Sequence, residues 1–484
     1  MQIYNTEHGQ KEEFIPSHKD KVSMYVCGIT TYDYAHIGHA RSAITFDTWL
    51  RLLRYKGYDV CFIRNFTDID DKIIARAEKE NRDWQAISKQ FIDAYHEDMD
   101  LLYILRPTVE PKATEHIQDM IDCIQELIEK GYSYTTPEGD VYYRVRKCKD
   151  YGVLSGHSID SLYNNVRIEA SSNKEDALDF ALWKSAKEGE PYWESPWGKG
   201  RPGWHIECSA MSKKYAPLPI DIHGGGRDLI FPHHENEKAQ TESMCDCSFV
   251  KYWVHNGFVQ INSEKMSKSL NNFTTIRDIL QEYLPEVLRY FLLTKHYRSP
   301  IDFSLESMRD AEKNLRTIYT ARLLAKKYIE SYKGTIVSNI DSPYIQEYIT
   351  TKEEFISCME DDCNTACALG HLFTLVHCVY RVLKEQKKND IGFTIATFFI
   401  NDIQLFSQLL GLFSQEPEPF LQALRHSIAQ RHGIDEHVID QRIAERTRAR
   451  KAKDFTLADT IREELALQGI SLQDNATGTT WDFE

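Results

Sequence analysis

Residues 27–41 read CGITTYDYAHIGHAR, and the fold turns on what lies to either side of them. Before them, Val22 to Val26 is a short apolar run that predicts a strand; after them, Ala40 to Leu53 has the spacing of an amphipathic helix. Between the two lie His36 and His39, flanking Ile37-Gly38. A strand, a turn with glycine and a helix N-terminus form a natural phosphate site, because backbone N–H groups and the helix dipole face the anion. Two imidazoles there can add donors to a charge that builds during a reaction. Either histidine alone would serve equally well as a cap or a core residue. Cys27, where the strand is expected to stop, is left for another task.

Working outward, residues 22–75 alternate strand, helix, strand, helix (VSMYV, SAITFDTWLRLLRYKG, YDVCFIRNF, DKIIARAEKE), which predicts a parallel α/β sheet. Gly57 closes the first helix, and the strand from Tyr58 ends at Thr67, at the carboxyl edge where such sheets bind ligands. Ile117, Met120, Ile121, Ile124 and Leu127 mark one helix face, with Gly131 as its stop. Pro137-Glu138-Gly139 then turns into VYYRV, a strand of a small insertion. The α/β pattern returns at Trp204 and runs through DIHGGG (221–226) to a helix from about Glu235. The expected organisation is an α/β domain in two halves, 1–110 and 201–304, split by an insertion at 111–200. A helical bundle at 305–415 follows, then a module at 420–484, with Glu416-Pro417-Glu418-Pro419 as the linker.

Composition narrows the class. Hydrophobic and charged contents of 42% and 27% are ordinary for a globular chain. The N-terminus lacks the apolar core of a signal peptide, and no apolar run approaches the roughly 18 residues of a membrane span. Eleven scattered cysteines read as reduced thiols of a cytosolic protein, not as a disulfide framework. Cys245 and Cys247 form a lone C-x-C with a structural reading. A net charge of −15 argues against non-specific nucleic-acid binding. Yet six basic residues and one acid, Glu445, fall between Arg442 and Lys453, a local positive surface that the total hides.

A second phosphate element sits at Lys265-Met266-Ser267-Lys268-Ser269, where two ammonium groups could grip a polyphosphate. By itself this is a lysine-rich surface loop. His-Ile-Gly-His after a first strand together with Lys-Met-Ser-Lys-Ser after the last is the double signature of class I aminoacyl-tRNA synthetases. Within that class the chain resembles the cysteinyl-tRNA synthetases. The resemblance rests on MYVCGITTYDYAHIGHAR (24–41), NFTDIDDKI (65–73), GRPGWHIECSAMS (200–212), DIHGGGRDLIFPHHENEKAQTE (221–242), HNGFVQINSEKMSKSLNNF (255–273) and HYRSPIDFS (296–304). It extends to the closing GISLQDNATGTTW (469–481), so it covers essentially the whole chain.

The resemblance implies a Rossmann-like parallel-sheet catalytic domain, a helical bundle and a small C-terminal anticodon-binding module. It implies that ATP and L-cysteine give cysteinyl-adenylate, and that cysteine then passes to the 3′ end of tRNA(Cys). Cys27, Cys208, His233 and Glu237 match the family's zinc ligands, a donor set that zinc accepts in fourfold coordination. Zinc answers a physical problem. An apolar pocket gains about 1–3 kcal/mol from one small-group difference. Rejecting serine about ten-thousandfold requires about 5.5 kcal/mol. A metal can supply that difference, because a thiolate ligates it and a serine hydroxyl stays protonated.

Other roles follow from the same resemblance. Thr67 and Trp204 are expected as walls of the amino-acid pocket, the alternatives being a strand-end hydroxyl and a core aromatic. Gly38 and Gly224, Gly225 and Gly226 are expected to let nucleotide approach the backbone. Asp228 is either an acceptor for ribose hydroxyls or a helix N-cap. His36, His39, Lys265 and Lys268 are expected to stabilise the departing pyrophosphate, with Mg²⁺ accompanying ATP. Asp68, Asp70 and Asp71 are read as helix caps rather than a magnesium site. Arg450, Asp459 and Asp474 stand where anticodon bases are read, and Trp481 is either a stacking platform for a base or a packed aromatic.

The chain departs from the family at Ile29, Thr31, Ser263, Asn271, Cys363 and Ala366, where Pro, Val, Gly, Gly, Phe and Pro are usual. Two competing readings are a cysteine:amino-sugar ligase of mycothiol synthesis and a non-catalytic tRNA-binding paralogue. The first lacks an anticodon module, against residues 420–484; the second is opposed by the intact histidines, lysines and metal-ligand residues. The family's bacterial members are usually monomers.

Overall fold

The computed structural model describes residues 1–159, 161, 173–261, 264–265, 274–337, 342–385, 388–475 and 478–483. Its centre is a parallel four-stranded sheet, ordered Val250–Asn256, Ile220–Gly226, Lys21–Thr30, Asp59–Thr67. Lys21–Thr30 is apolar along most of its length and buried from Val22 to Val26, as a strand covered on both faces must be. It pairs Tyr25 with His223 on one side and with Ile63 on the other. The chain leaves this strand for one neighbour and returns later to the other. A crevice therefore opens between the two at their carboxyl ends, where α/β sheets bind ligands.

The strand runs on to Thr30 instead of stopping before Cys27, with a register shift between Val26 and Ile29. Gly28 sits at that shift because a Cβ there would lie 1.6 Å from the Asn65 carbonyl oxygen. Cys27 is thus part of the sheet. The helix spans Ile37–Tyr55, three residues earlier than its apolar pattern begins, because His36 caps it. Its C-cap is Lys56, followed by Gly57 at φ +90°.

Residues 133–202 contain an antiparallel sheet of Ser133–Thr135, Val141–Tyr143, Phe180–Ser185 and Gly200–Pro202. Its core, with Tyr143, Leu182 and Trp183, packs on Ile206 and Ala239 of the helices that carry site residues. Asp70 caps the helix Asp71–Glu80, Asp68 accepts from Thr114, and Asp71 pairs with Lys184 and Arg201, so all three acids have structural partners.

Beyond residue 304 come the long helices Leu305–Ser331, Pro343–Glu360, Thr365–Glu385 and Asp390–Leu410. Two stretches, Thr365–Lys384 and Asp390–Leu410, are long and apolar enough to cross a membrane by length and composition, though neither is an unbroken apolar run. Here half of each is buried, through residues such as Leu372, Val376, Phe399 and Phe406. The helix Pro285–Leu293 links the two: its Arg289 forms a fully buried ion pair with Asp47 of the sheet helix and donates to the Leu410 carbonyl of the bundle at 2.7 Å.

Glu416–Pro419 is not a linker. Pro417 opens the helix Pro417–Arg431, at the position where its fixed φ fits and its missing N–H costs nothing. Phe420 stacks on Tyr319 of the bundle with ring centroids 3.8 Å apart. The last segment therefore continues the bundle through Glu436–Lys451, Phe455–Leu467 and a closing hairpin. Nor are all the thiols reduced: Cys358 and Cys367 form a disulfide with a Cα separation of 5.7 Å. A four-residue turn brings the last turn of one helix beside the first turn of the next.

Candidate active site

The carboxyl ends of the two central strands open into a cavity of about 380 Å³. His36, Gly38 and His39 line one part of it, Cys27 and Trp204 another, and Gly226 and Asp228 a third. At the histidine end, the His36 Nδ1 accepts from the backbone N–H of Gly38 at 3.0 Å and His39 at 3.4 Å. The His36 backbone N–H donates to the His39 Nδ1 at 3.2 Å. These bonds place the ring proton on Nε2 in both residues. The rings stack with centroids 3.7 Å apart. The result is a helix N-terminus carrying two N–H donors of fixed tautomer.

The segment that follows the lysine loop is tied to the same turn. Ile276 donates to the Ala35 carbonyl at 2.9 Å, and His36 forms a backbone bridge with Thr275. Lys265 lies in the short strand Glu264–Lys265, opposite Gln260 and next to cleft-lining Val259. Lys268, Ser263 and Asn271 lie outside the described residues.

At the other end, donor atoms of Cys27, Cys208, His233 and Glu237 all lie within 4.8 Å of one another. Four elements supply them: the bulged strand, the helix Trp204–Tyr215, the turn Ile230–His234 and the helix Glu235–Cys245. Cys27 Sγ is 3.7 Å from Cys208 Sγ and 3.2 Å from Glu237 Oε1; His233 Nε2 is 2.9 Å from that same oxygen. Glu237 Oε2 is buried with His223 Nε2 3.3 Å away but no hydrogen bond formed to it. Burial pushes the Cys27 thiol and the Glu237 carboxyl well up, whereas the hydrogen bond from Cys27 brings Cys208 down to about 7. Two thiols, an imidazole and a buried carboxyl with one oxygen outside any hydrogen bond make a coherent donor set for a soft divalent cation.

Sequence reasoning missed the layer behind this set. His223 and His234 are fully buried and, with Cys27 and Glu237, form a second overlapping group of donors. Burial lowers both imidazoles, as it does His205 and, to about 3, His255. His205 Nδ1 lies 2.9 Å from His233 Nδ1, which fixes the His233 ring. Asn65 Oδ1 accepts from the Gly28 N–H at 2.9 Å and touches Cys208 Sγ at 3.8 Å. The only signal for His223 and His234 was their place in the quoted DIHGGG and PHHEN stretches.

Several expected roles change. Thr67 is 3% exposed and its hydroxyl donates to Glu207 at 2.8 Å, as the strand-end alternative has it. Trp204 is 40% exposed and stacks on His233 with centroids 4.2 Å apart, a flat face at the cleft beside the donor set. Gly224 is needed for packing: a Cβ there would lie 2.2 Å from the Phe46 ring. At Gly225 it would press on Leu229 and His234; Gly226 alone of the three lines the cleft. Asp228 is in the turn Arg227–Leu229 and caps no long helix.

In the last module, Asp474 pairs with Arg446 at 2.8 Å and Arg450 at 2.6 Å, and the Arg446 hydrogen bond leads in holding its carboxyl well below the usual range. Asp459 is exposed. Trp481 is 6% exposed, donates to Asp440 at 3.1 Å and is covered by Arg425, the packing of the second alternative.

Comparison with known proteins gives concordant results. Residues 13–313 match the family described as tRNA synthetases class I (C) catalytic domain, and residues 354–414 match the DALR domain. A cysteine–tRNA ligase of Nitratidesulfovibrio vulgaris is 54% identical over 484 residues, covering 100% of both chains. One from Lawsonia intracellularis is 53% identical over 485 residues, again covering 100% of both. Among solved structures, methionyl-tRNA synthetase of Mycobacterium tuberculosis in complex with methionyl-adenylate matches with a TM-score of 0.61 at 14% identity, covering 81% of this chain and 92% of that one. The likeness at that identity is one of fold. The full-length matches include residues 420–484, and neither the amino-sugar ligase nor the non-catalytic paralogue is favoured.

Proposed function

The chain belongs to the cysteine–tRNA ligases, ATP-dependent class I aminoacyl-tRNA synthetases, and from that premise we propose how its residues divide the work. The family's reaction has two steps. The cysteine carboxylate attacks the α-phosphate of ATP and pyrophosphate leaves; a terminal ribose hydroxyl of the tRNA then attacks the acyl carbonyl and AMP leaves.

At the ATP end, His36 and His39 donate from Nε2 to phosphate oxygens, helped by the positive end of the dipole of Ile37–Tyr55, whose own first N–H groups are already bonded. Neutral imidazoles of fixed tautomer stabilise charge as it moves onto pyrophosphate without first having to reorient. Lys265 and Lys268 add positive charge to the same phosphates. Gly38 and Gly226 border the nucleotide and Asp228 accepts from its ribose. Mg²⁺ arrives with ATP, since Asp68, Asp70 and Asp71 already have partners.

At the amino-acid end, Cys27, Cys208, His233 and Glu237 would hold a zinc ion, which when bound supplies a preference for thiolate over hydroxyl. This set is preferred to the one with His223 and His234 because it has two thiols and lies against cleft-facing Trp204. His205 positions His233: kept neutral by burial, its Nδ1 accepts the His233 Nδ1–H and leaves the His233 Nε2 lone pair as donor. Trp204 closes one side of the cysteine pocket. Exposed Arg448, Lys451 and Lys453, with Arg450 and Asp459, face the tRNA anticodon. The enzyme is taken as a cytoplasmic monomer, like bacterial relatives.

The observation that carries this reading is that the histidine turn and the thiol cluster share one cleft, at opposite ends of one strand-to-helix connection. Cysteine-dependent exchange of pyrophosphate into ATP tests it. His39→Asn should lower kcat by about 10²–10³-fold, the cost of one transition-state donor, with little change in the KM for cysteine. A raised cysteine KM at unchanged kcat would reverse the assignment.

A further inference from the structure

A second group of sulfur and imidazole donors lies far along the chain, in the bundle. Cys358, Cys367 and His371 have ligand atoms within 4.8 Å of one another, and all three are part-exposed. Cys358 is in the last turn of Pro343–Glu360, and Cys367 is in the first turn of Thr365–Glu385. His371 is one turn beyond Cys367, hence on the same face. On the opposing helix, Glu354 is one turn before Cys358, and its Oε2 is 3.1 Å from His371 Nδ1.

A disulfide alone asks for none of this surrounding chemistry. A histidine with a ring nitrogen within 4.8 Å of both sulfurs and with Nδ1 on a carboxylate matches the way metal-ligating histidines are held: the carboxylate sets the tautomer and makes the second nitrogen a better donor. With Nδ1 on Glu354, Nε2 is the nitrogen left for a cation. The scaffold is also fixed. The turn between the helices holds Asp362 and Cys363 at φ +60° and +50°, and buried Asp362 accepts from the Tyr4 N–H, Tyr297 hydroxyl and Arg298 guanidinium.

We propose that Cys358, Cys367 and His371, once the disulfide is reduced, form a second metal site for a thiophilic divalent cation such as Zn²⁺, with Glu354 orienting the histidine and the fourth position open to solvent. The balance is simple. A dithiol reductant gives two electrons and two protons to the Cys358–Cys367 bond, leaving two thiols and an oxidised reductant. Binding of the cation then displaces both thiol protons, with no change in the metal's oxidation state. The site is independent of the catalytic cleft, and the disulfide and the metal are alternative staples of the same hairpin.

Metal analysis of the full chain tests this. Protein is reduced with a dithiol, loaded with Zn²⁺, freed of excess ion by gel filtration and assayed for bound zinc and for cysteine-dependent pyrophosphate exchange. The native chain should retain one more zinc per chain than the Cys358→Ser/Cys367→Ser variant, and the variant should keep its exchange activity. His371→Ala, which leaves both thiols and the packing of the hairpin in place, should bind this second zinc at least tenfold more weakly. In Cys208→Ser protein, Co²⁺ at the second site should give a thiolate-to-cobalt absorption band that the added Cys358→Ser/Cys367→Ser changes abolish. Equal zinc in the native chain and the double variant, or no thiolate band dependent on Cys358 and Cys367, would overturn the proposal.

Discussion

Replacing Arg289 with methionine should unlock the bundle from the catalytic sheet. Arg289 is fully buried and donates to the carbonyls of Leu410 at 2.7 Å and Leu102 at 2.8 Å, besides its ion pair with Asp47. Asp47 is on the helix that begins at the histidine turn and also pairs with Arg51 at 2.7 Å. Arg289→Met leaves the buried Asp47 with Arg51 as its one remaining cationic partner among the described residues, and breaking a buried pair of this kind costs about 3–5 kcal/mol. Replacing both by apolar residues, Asp47→Leu with Arg289→Met, should recover part of that loss, because the buried carboxylate is then gone, while Arg51 and the Leu102 and Leu410 carbonyls still lose a partner. Urea unfolding followed by tryptophan fluorescence measures both, with the midpoint of the first transition as the readout. The pH dependence gives a second check. Burial alone would push the Asp47 carboxyl up, but Arg289 and Arg51 outweigh it and hold it below the usual value. Its contribution is therefore present above the unfolded carboxylate pKa and is lost as pH falls through the folded value. Arg289→Met should lose less stability on acidification than the native chain. A single substitution costing under about 1 kcal/mol, or a double variant as weak as the sum of the singles, would refute the reasoning.

Gly224→Ala should be destabilised by overpacking against Phe46, by about 1–3 kcal/mol, and Phe46→Leu in the same chain should restore it; a stable Gly224→Ala with a raised KM for ATP would return the residue to the nucleotide site. His205, His223, His234 and His255 are buried as neutral imidazoles, with His255 at about 3. Since the unfolded chain binds protons below about 6.5, stability should fall as pH drops from there toward 3, with up to about 5 kcal/mol from His255 alone. His255→Gln should flatten that slope in a pH series of urea midpoints, and an unchanged slope would count against it.

Where residue type alone dictated geometry, the chain could be read directly. The alternation from Val22 onward gave the parallel sheet, and Gly57 and Gly131 stand just past helix ends at positive φ. The histidine turn was legible because its pattern is local. What escaped was whatever depended on contacts distant in sequence. Nothing around residue 224 announces that Phe46 fills the space a side chain would need. Thr67 ends its strand where a pocket residue would, and only the placement of Glu207 turns its hydroxyl inward. Pro417 punctuates the sequence like a linker, yet proline serves equally well to open a helix. Trp481 could not be told from an RNA-stacking residue until Arg425 and Asp440 were seen to cover it.

The account stands most directly on one substitution. Cys208→Ser, in a background also lacking Cys358 and Cys367, removes one thiol from the cleft cluster and leaves its shape nearly intact. Bound zinc and the KM for cysteine in pyrophosphate exchange are measured together. Loss of the metal with at least a tenfold rise in that KM is the predicted result; zinc retained at full occupancy, with the KM for cysteine unchanged, would contradict it.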